Sequence, residues 1–170
     1  MRRVIYFVAM SLDGYLARPD GGIDWLLHDQ DYGFSEFFGS IDTVLLGRKT
    51  YDLARSFEEY PYSTKENYIF SRSLGACAHG TVVEEPIAQF VGHLLAMPGQ
   101  DIWLVGGGEL AGAFFAEQAV DDLIVFVHPI LIGSGRSLAA SLPEDVKLRL
   151  TGSEEFSSGL VKLAYSVQYN

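Results

Sequence analysis

The sequence predicts an α/β protein in three layers: a mixed sheet with covering helices and an antiparallel hairpin at its C-terminal edge. Three observations carry that expectation. Short apolar runs alternate along the chain with stretches of helical period. Two of those runs, Val44-Leu45-Leu46 and Ile102-Trp103-Leu104-Val105, end in glycine and pass straight into a helix pattern. The last segment alternates Val161, Leu163, Tyr165, Val167 and Tyr169 on one face, after a Ser158-Gly159 turn. With 170 residues, 48% of them hydrophobic and 13% aromatic, the chain suffices for one compact domain over residues 1–170 with a sizeable core.

Each element follows from local pattern. Residues 4–10 are continuously apolar and read as a buried strand. Ser11-Leu12-Asp13-Gly14 then opens an irregular stretch to about residue 25, in which Pro19-Asp20-Gly21-Gly22 favours turns. Phe34, Phe37 and Phe38 recur at i, i+3 and i+4, which predicts a short helix over residues 31–39. A strand at 43–46 and a helix from 49 to about 55 follow, then short strands at 67–70 and 81–83, the first running into Ser71-Arg72. Pro86 precedes Ile87, Phe90, Val91, Leu94 and Leu95, an amphipathic helix with proline in its first turn that ends near Met97-Pro98-Gly99. Residues 102–105 form a strand, 109–118 a helix, and 123–132 a long apolar strand interrupted at Pro129.

Composition excludes several function classes. A formal net charge of -10 argues against a nucleic-acid or anionic-membrane surface, since both are bound through basic patches. The lone Cys77 allows no internal disulfide, and His28, His79, His93 and His128 fall at no metal-ligand spacing. A cytoplasmic protein without a metal is therefore expected. Met1-Arg2-Arg3 is basic, but the apolar run behind it is too short for a signal segment, and no stretch reaches membrane-spanning length.

The two glycine turns carry the chemistry. A strand that delivers glycine to a helix start lets backbone N–H groups approach an anion closely. Two such turns, with Arg48 and Thr50 in the first and Gly106-Gly107-Gly108-Glu109-Leu110 in the second, point to a ligand with more than one phosphate, such as a dinucleotide. The same turns are also the ordinary way to turn a corner in an α/β fold. Neither the standard dinucleotide fingerprint, nor the P-loop pattern, nor a G-x-S-x-G elbow is present.

Taken in order, Ala9-Met10-Ser11-Leu12-Asp13-Gly14, Gly22-Ile23-Asp24-Trp25, Gly47-Arg48-Lys49-Thr50-Tyr51, Phe70-Ser71-Arg72, Val105-Gly106-Gly107-Gly108 and Pro129-Ile130-Leu131-Ile132-Gly133-Ser134-Gly135 span nearly the whole chain. On these motifs the chain resembles the dihydrofolate reductase-like family, and within it stand-alone members related to the reductase domain of the bifunctional riboflavin biosynthesis deaminase-reductase. The resemblance implies an NADPH-dependent reductase that forms a homodimer. It places the pyrophosphate between the Gly47-Arg48-x-Thr50 and Gly106-Gly107 helix starts, with Val105, Gly108, Glu109 and Leu110 around the second. It gives the adenosine 2′-phosphate to Ser71 and Arg72, with Arg48 as a second cation, and the nicotinamide carboxamide to the backbone of Ala9 with Leu16 across the loop. Guanidinium groups suit this role, since a planar fork makes bidentate bonds to phosphate.

Hydride transfer to C=N or C=O needs a dry pocket and a proton source, which a desolvated carboxyl can supply. Asp31 falls where folate-reducing members of the family keep their substrate carboxylate, and Asp24 and Asp29 compete with it. An Asp at a helix start is equally an ordinary cap. Phe34 and Trp25 are candidates for the substrate pocket, Trp25 alternatively for the core, and Asp13-Gly14 reads as a turn. Departures limit the substrate. Folate-reducing members carry a threonine where Val127 or His128 stands, and riboflavin-type reductases a lysine where this chain has Phe7. No zinc deaminase signature accompanies the domain. Three readings stand: an NADPH-dependent reductase of a pyrimidine or pterin-like heterocycle, of the 5-amino-6-(5-phosphoribosylamino)uracil type; dihydrofolate reductase or another small C=N or C=O reductase; and a nucleotide-binding protein without catalysis. The apolar strand at 123–132 and the last strand would suit the homodimer interface.

Overall fold

The computed structural model describes residues 1–169 and places an eight-stranded sheet between helices on both faces. Strands β1 (Val4–Ser11), β2 (Tyr15–Ala17), β3 (Ile41–Gly47), β4 (Glu66–Phe70), β5 (Thr81–Val83), β6 (Asp101–Gly106), β7 (Asp122–His128), β8 (Arg136–Ser137), β9 (Lys147–Glu155) and β10 (Val161–Gln168) alternate with helices α1 (Phe34–Gly39), α2 (Arg48–Ala54), α3 (Ile87–Ala96) and α4 (Gly108–Ala116). The sheet order is β5-β4-β3-β6-β1-β7-β10-β9, with β2 and β8 paired apart as a small ribbon. From β5 to β7 all pairings are parallel; β10 runs antiparallel to β7 and to β9. The mixed sheet and the C-terminal hairpin are thus as the sequence predicts.

Strand alternation divides the core in two. From β1, Val4 and Tyr6 pack with Leu45, Leu104 and the α3–α4 residues Leu94 and Phe114 on one face. Ile5 and Phe7 pack with Phe37 of α1, Tyr51 of α2 and Trp103 on the other. Parallel strands covered on both faces must be apolar at successive positions, which is why residues 4–7 and 44–46 are buried without interruption.

Two departures from the sequence reading have local causes. The strand expected to reach residue 132 stops at His128, because Pro129 has no N–H to continue the ladder. The 11–25 stretch contains β2, whose Tyr15 pairs with Ser137 and Ala17 with Arg136. Asp13 forms the expected turn and also ties this loop down: its carboxylate accepts from Ser11 Oγ (2.6 Å), Gly133 N (2.8 Å) and Ile132 N (3.2 Å).

At the N-terminal end of the sheet Arg2 is 7% exposed. Its guanidinium pairs with Asp42 and donates to Thr43 Oγ1 (2.7 Å) and the Gln100 carbonyl (2.7 Å). A buried cation deprived of its counter-charge is costly, whereas Asp42 itself is partly hydrated. Asp42→Asn is therefore expected to cost about 1–2 kcal/mol, read as a drop of several degrees in thermal melting, with no effect on ligand binding at the opposite end of the sheet.

Candidate functional site

The C-terminal ends of parallel strands are where α/β folds bind ligands, and here they open into a cleft of about 1050 Å³. Because β3 and β6 are neighbours, with Leu46 opposite Gly106, the two glycine turns meet. A Cβ built on Gly47 would stand 3.5 Å from the Gly106 carbonyl oxygen and 3.7 Å from the Gly107 nitrogen. One built on Gly107 would stand 3.6 Å from Thr50 Oγ1. Gly47, Gly107 and Thr50 thus form one floor from which α2 and α4 depart.

Gly47, Arg48 and Thr50 line this cleft, as do Gly107, Gly108, Glu109 and Leu110 from α4 and Ser71 with Arg72 from the end of β4. Ser71 Oγ accepts the N–H groups of Ser73 (3.3 Å) and Leu74 (3.1 Å), which fixes the turn that presents Arg72. Arg48 Nε donates to Asp52 Oδ2 at 2.9 Å. Arg72, by contrast, has no side-chain hydrogen bond or ion pair among the described residues. Glu84 and Glu85 stand on the same rim, after β5.

Of the remaining expected cofactor residues, Val105, Gly106 and Leu16 do not line the cleft. Val105 packs into the α1–α2 face of the core, and Gly106, at φ +103°, lies 3.5 Å from the Tyr6 ring when given a Cβ. Leu16 sits in β2, and Ala9 lines a second pocket.

That second pocket, about 290 Å³, opens on the α1 face of β1 and β7. Phe7, Phe34, Phe126 and Leu160 wall it, and Asp31, His28, Tyr32 and His128 are its titratable members. Phe7 stacks on Phe37 with ring centroids 3.9 Å apart and lies 4.8 Å from Phe126. The cation nearest this wall is Lys162, whose Nζ lies 5.7 Å from the centroid of the Phe126 ring.

Asp31 and Phe34 both line this second pocket, but Asp31 is not in the electrostatic state expected of a proton source. Its carboxylate is exposed and accepts from Ser35 Oγ (2.7 Å) and Ser35 N (3.2 Å), bonds that hold its pKa below the ordinary value. Two residues before the Gly33 N-cap, it accepts a first-turn N–H of α1 as an anion; burial does not keep it protonated. Asp24 does not line the pocket: it is exposed and paired with Arg18 at 2.7 Å. Asp29 is engaged by the Tyr32 hydroxyl. Trp25 is 8% exposed and packs edge-on against His128 at 5.2 Å, outside the pocket wall, with its Nε1 buried and unpartnered among the described residues. His128 is 3% exposed, its Nδ1 lies 3.1 Å from the Phe126 carbonyl oxygen, and burial pushes its pKa down, so the ring is neutral near pH 7.

The Asp31–Ser35 contact has a pH signature. Its folded pKa lies below the unfolded value of about 3.9, so its contribution to stability is present above that value and is lost as pH falls through the lower folded one. Asp31→Asn is expected to flatten the acid limb of stability, compared by melts from roughly pH 6 to pH 2.

Among the described residues there is no cluster of His, Cys, Asp and Glu fit for a metal, and no helix is long and apolar enough to cross a membrane. The sequence reading did not single out Arg136 and Ser137, which also line the cleft. The signal was available, since both directly follow the Gly133-Ser134-Gly135 motif.

Comparison with known proteins agrees with the geometry. The RibD C-terminal domain family matches residues 2–162. Two uncharacterized proteins of Bacillus subtilis (strain 168) are similar along their whole length. YwjB is 38% identical, covering 96% of this chain and 97% of its own, and YyaP is 33% identical, covering 96% and 94%. Among solved structures, a protein from Shewanella sp. PV-4 provisionally named for riboflavin biosynthesis superposes with a TM-score of 0.88 at 26% identity, covering 98% of this chain and 99% of that one. A bifunctional diaminohydroxyphosphoribosylaminopyrimidine deaminase/5-amino-6-(5-phosphoribosylamino)uracil reductase from Thermotoga maritima shares the fold at 15% identity and a TM-score of 0.74. There the match covers 97% of this chain and 56% of that one.

Proposed function

Because the chain belongs to the RibD C-terminal domain family, we propose that it is an NADPH-dependent reductase of a pyrimidine or pterin-like heterocycle, with 5-amino-6-(5-phosphoribosylamino)uracil reduction as the leading chemistry. One observation carries the cofactor half of this reading. The two glycine turns meet at the cleft floor, and Arg72 stands at the rim with no partner of its own among the described residues. The donor set fits a dinucleotide phosphate. Gly47, Thr50, Gly107 and Gly108 would hold the pyrophosphate, and Ser71 with Arg72 the 2′-phosphate, supported by Arg48. Bound there, the cofactor supplies a hydride.

The chain's own residues would prepare the acceptor. Phe7, Phe34 and Phe126 would give a flat ring an apolar wall to lie against. Asp31, held as an anion, would accept an N–H of that ring and orient it, and would not be the source of the proton. Neutral His128 faces the same space. The mostly apolar lining favours a second reading, dihydrofolate or another small C=N or C=O compound, with Lys162 Nζ, 5.7 Å from the Phe126 ring centroid, as the cation at the pocket's edge.

The same reading has the chain act as a cytoplasmic homodimer of single-domain subunits. Strand β9 leaves Leu148 and Leu150 exposed at 41% and 55%, a surface for such pairing. Strand β7 lies inside the sheet between β1 and β10, so its apolar length is accounted for by the core.

Titration with NADPH and NADH, following reduced-nicotinamide fluorescence and quenching of Trp25 and Trp103, tests the proposal. Tight NADPH binding with weaker NADH binding is expected, followed by turnover in a screen of pyrimidine and pterin compounds. Binding without turnover would leave the non-catalytic reading, and binding of neither would overturn all three.

A further inference from the structure

We infer that Arg136 is a second anion-binding arginine of the cleft, one that takes the pyrophosphate shared by NADPH and NADH, apart from the 2′-phosphate that distinguishes them. The inference rests on the dinucleotide reading above and adds to it a residue on a different element.

Unpaired arginines are scarce in this chain. With 12 basic residues against 22 acidic ones, a guanidinium is expected to find a carboxylate. Of the eight arginines, Arg2, Arg3, Arg18, Arg48 and Arg55 pair with aspartate and Arg149 Nε donates to Ser166 Oγ, which leaves Arg72 and Arg136 without a side-chain partner among the described residues. Among the described residues the Arg136 side chain has no ion pair and no hydrogen bond, although Glu109 and Glu117 line the same cleft. The cleft sets four cationic side chains (Arg48, Lys49, Arg72, Arg136) against four carboxylates (Glu84, Glu85, Glu109, Glu117), and Arg136, exposed and paired with none of the four, keeps its planar fork free for an anion that enters the cleft.

Its position is fixed by the backbone. Ala140 N donates to the Gly108 carbonyl (2.9 Å), Leu138 N to the Gly14 carbonyl (3.1 Å), and the buried Tyr6 hydroxyl to the Leu138 carbonyl (2.7 Å). The Ser137 carbonyl oxygen sits so close over Gly108 that a Cβ there would collide with it. Strand β8 is thereby clamped onto the first turn of α4, beside the glycine floor, while the guanidinium rests on the turn at Gly21, where a Cβ would stand 3.0 Å from Nη2. Arg72 leaves the sheet from the end of β4, with β3 and β6 between it and β1, the strand against which β2 of the β2–β8 ribbon packs. Two free guanidinium groups on separate elements therefore suit two separate phosphate groups of one ligand.

Affinities for NADPH and NADH, measured by fluorescence titration on wild type, Arg136→Gln, Arg136→Lys and Arg72→Gln, test the assignment. Arg136→Gln is expected to weaken both cofactors by the same factor, about tenfold for one charge-assisted contact, with Arg136→Lys between it and wild type. Arg72→Gln should weaken NADPH selectively. Unchanged affinities in Arg136→Gln, at an unchanged melting temperature, would overturn the inference while leaving the dinucleotide reading intact. A loss confined to NADPH would also overturn it, by moving Arg136 to the 2′-phosphate. A wild-type protein that binds neither cofactor would overturn both, and a variant that fails to fold leaves Arg136→Lys to decide through its own loss or retention of affinity.

Discussion

Gly112→Ala is expected to destabilise the protein by about 2–4 kcal/mol, against the intrinsic preference of a helix for alanine. In the middle of α4 the substitution would ordinarily add about 1 kcal/mol of stability by reducing the freedom of the unfolded chain. Here the added methyl collides with the Ala140 carbonyl oxygen and approaches the Ala140 carbon at 2.9 Å. These are backbone atoms, so the segment from Arg136 to Ala140 must lift or α4 must move. Gly92 supplies the control. It lies in α3, is exposed, and has nothing within 4 Å of its Cβ position, so Gly92→Ala is expected to stabilise by about 0.5–1 kcal/mol. Thermal melts read the contrast, roughly 5–15 °C down for one variant and a few degrees up for the other. Equal shifts of one sign would mean that the approach of residues 136–140 to α4 is not a tight contact. Because the same segment presents Arg136, Gly112→Ala should also weaken cofactor binding, whereas Gly92→Ala should leave it alone.

How far the sequence reveals such features depends on whether they are local. Residues 81–83 were legible as a strand to the residue, because a β-branched triplet, Thr81-Val82-Val83, between turn formers leaves little choice. The helix behind Pro86 was legible because its apolar residues recur at helical spacing and proline sets its start. The β2–β8 ribbon was not, since strands of three and two residues carry no period. Strand β9 is exposed at every position and its alternation lasts only through Lys147-Leu148-Arg149-Leu150 before Thr151-Gly152, so the turn at Ser158-Gly159 is the clearer sign of its hairpin. The glycine turns were legible for the same local reason, and their meeting follows once β3 and β6 are neighbours. The ionisation of Asp31 was not: it depends on whether Ser35 turns its hydroxyl and N–H toward the carboxylate, which sequence spacing permits but does not require. Arg136 escaped because its meaning lies in what it lacks, a partner, and that is visible only when all neighbours are placed.

Arg72→Ala is expected to invert cofactor preference as well as weaken binding. NADPH and NADH differ only in the 2′-phosphate, so a residue that serves that group acts on one cofactor alone. Loss of a charge-assisted guanidinium contact to phosphate corresponds to roughly 10- to 100-fold in NADPH affinity, with NADH held within about twofold. The inversion comes from what remains. Glu84 and Glu85 share the rim with Ser71 and Arg72. With the arginine present, their field is offset; without it, two carboxylates face a phosphate dianion across a partly enclosed cleft, where repulsion is less screened than in bulk water. A ribose hydroxyl suffers no such repulsion and can donate to a carboxylate. Raising the ionic strength should shrink the NADPH penalty toward a common value, since the Debye length falls from about 10 Å at 0.1 M to about 3 Å at 1 M. Arg72→Ala with Glu84→Gln should recover part of the NADPH affinity in low salt. Equal losses for both cofactors would place Arg72 on a group that they share, and no loss for either would leave it a solvated surface arginine.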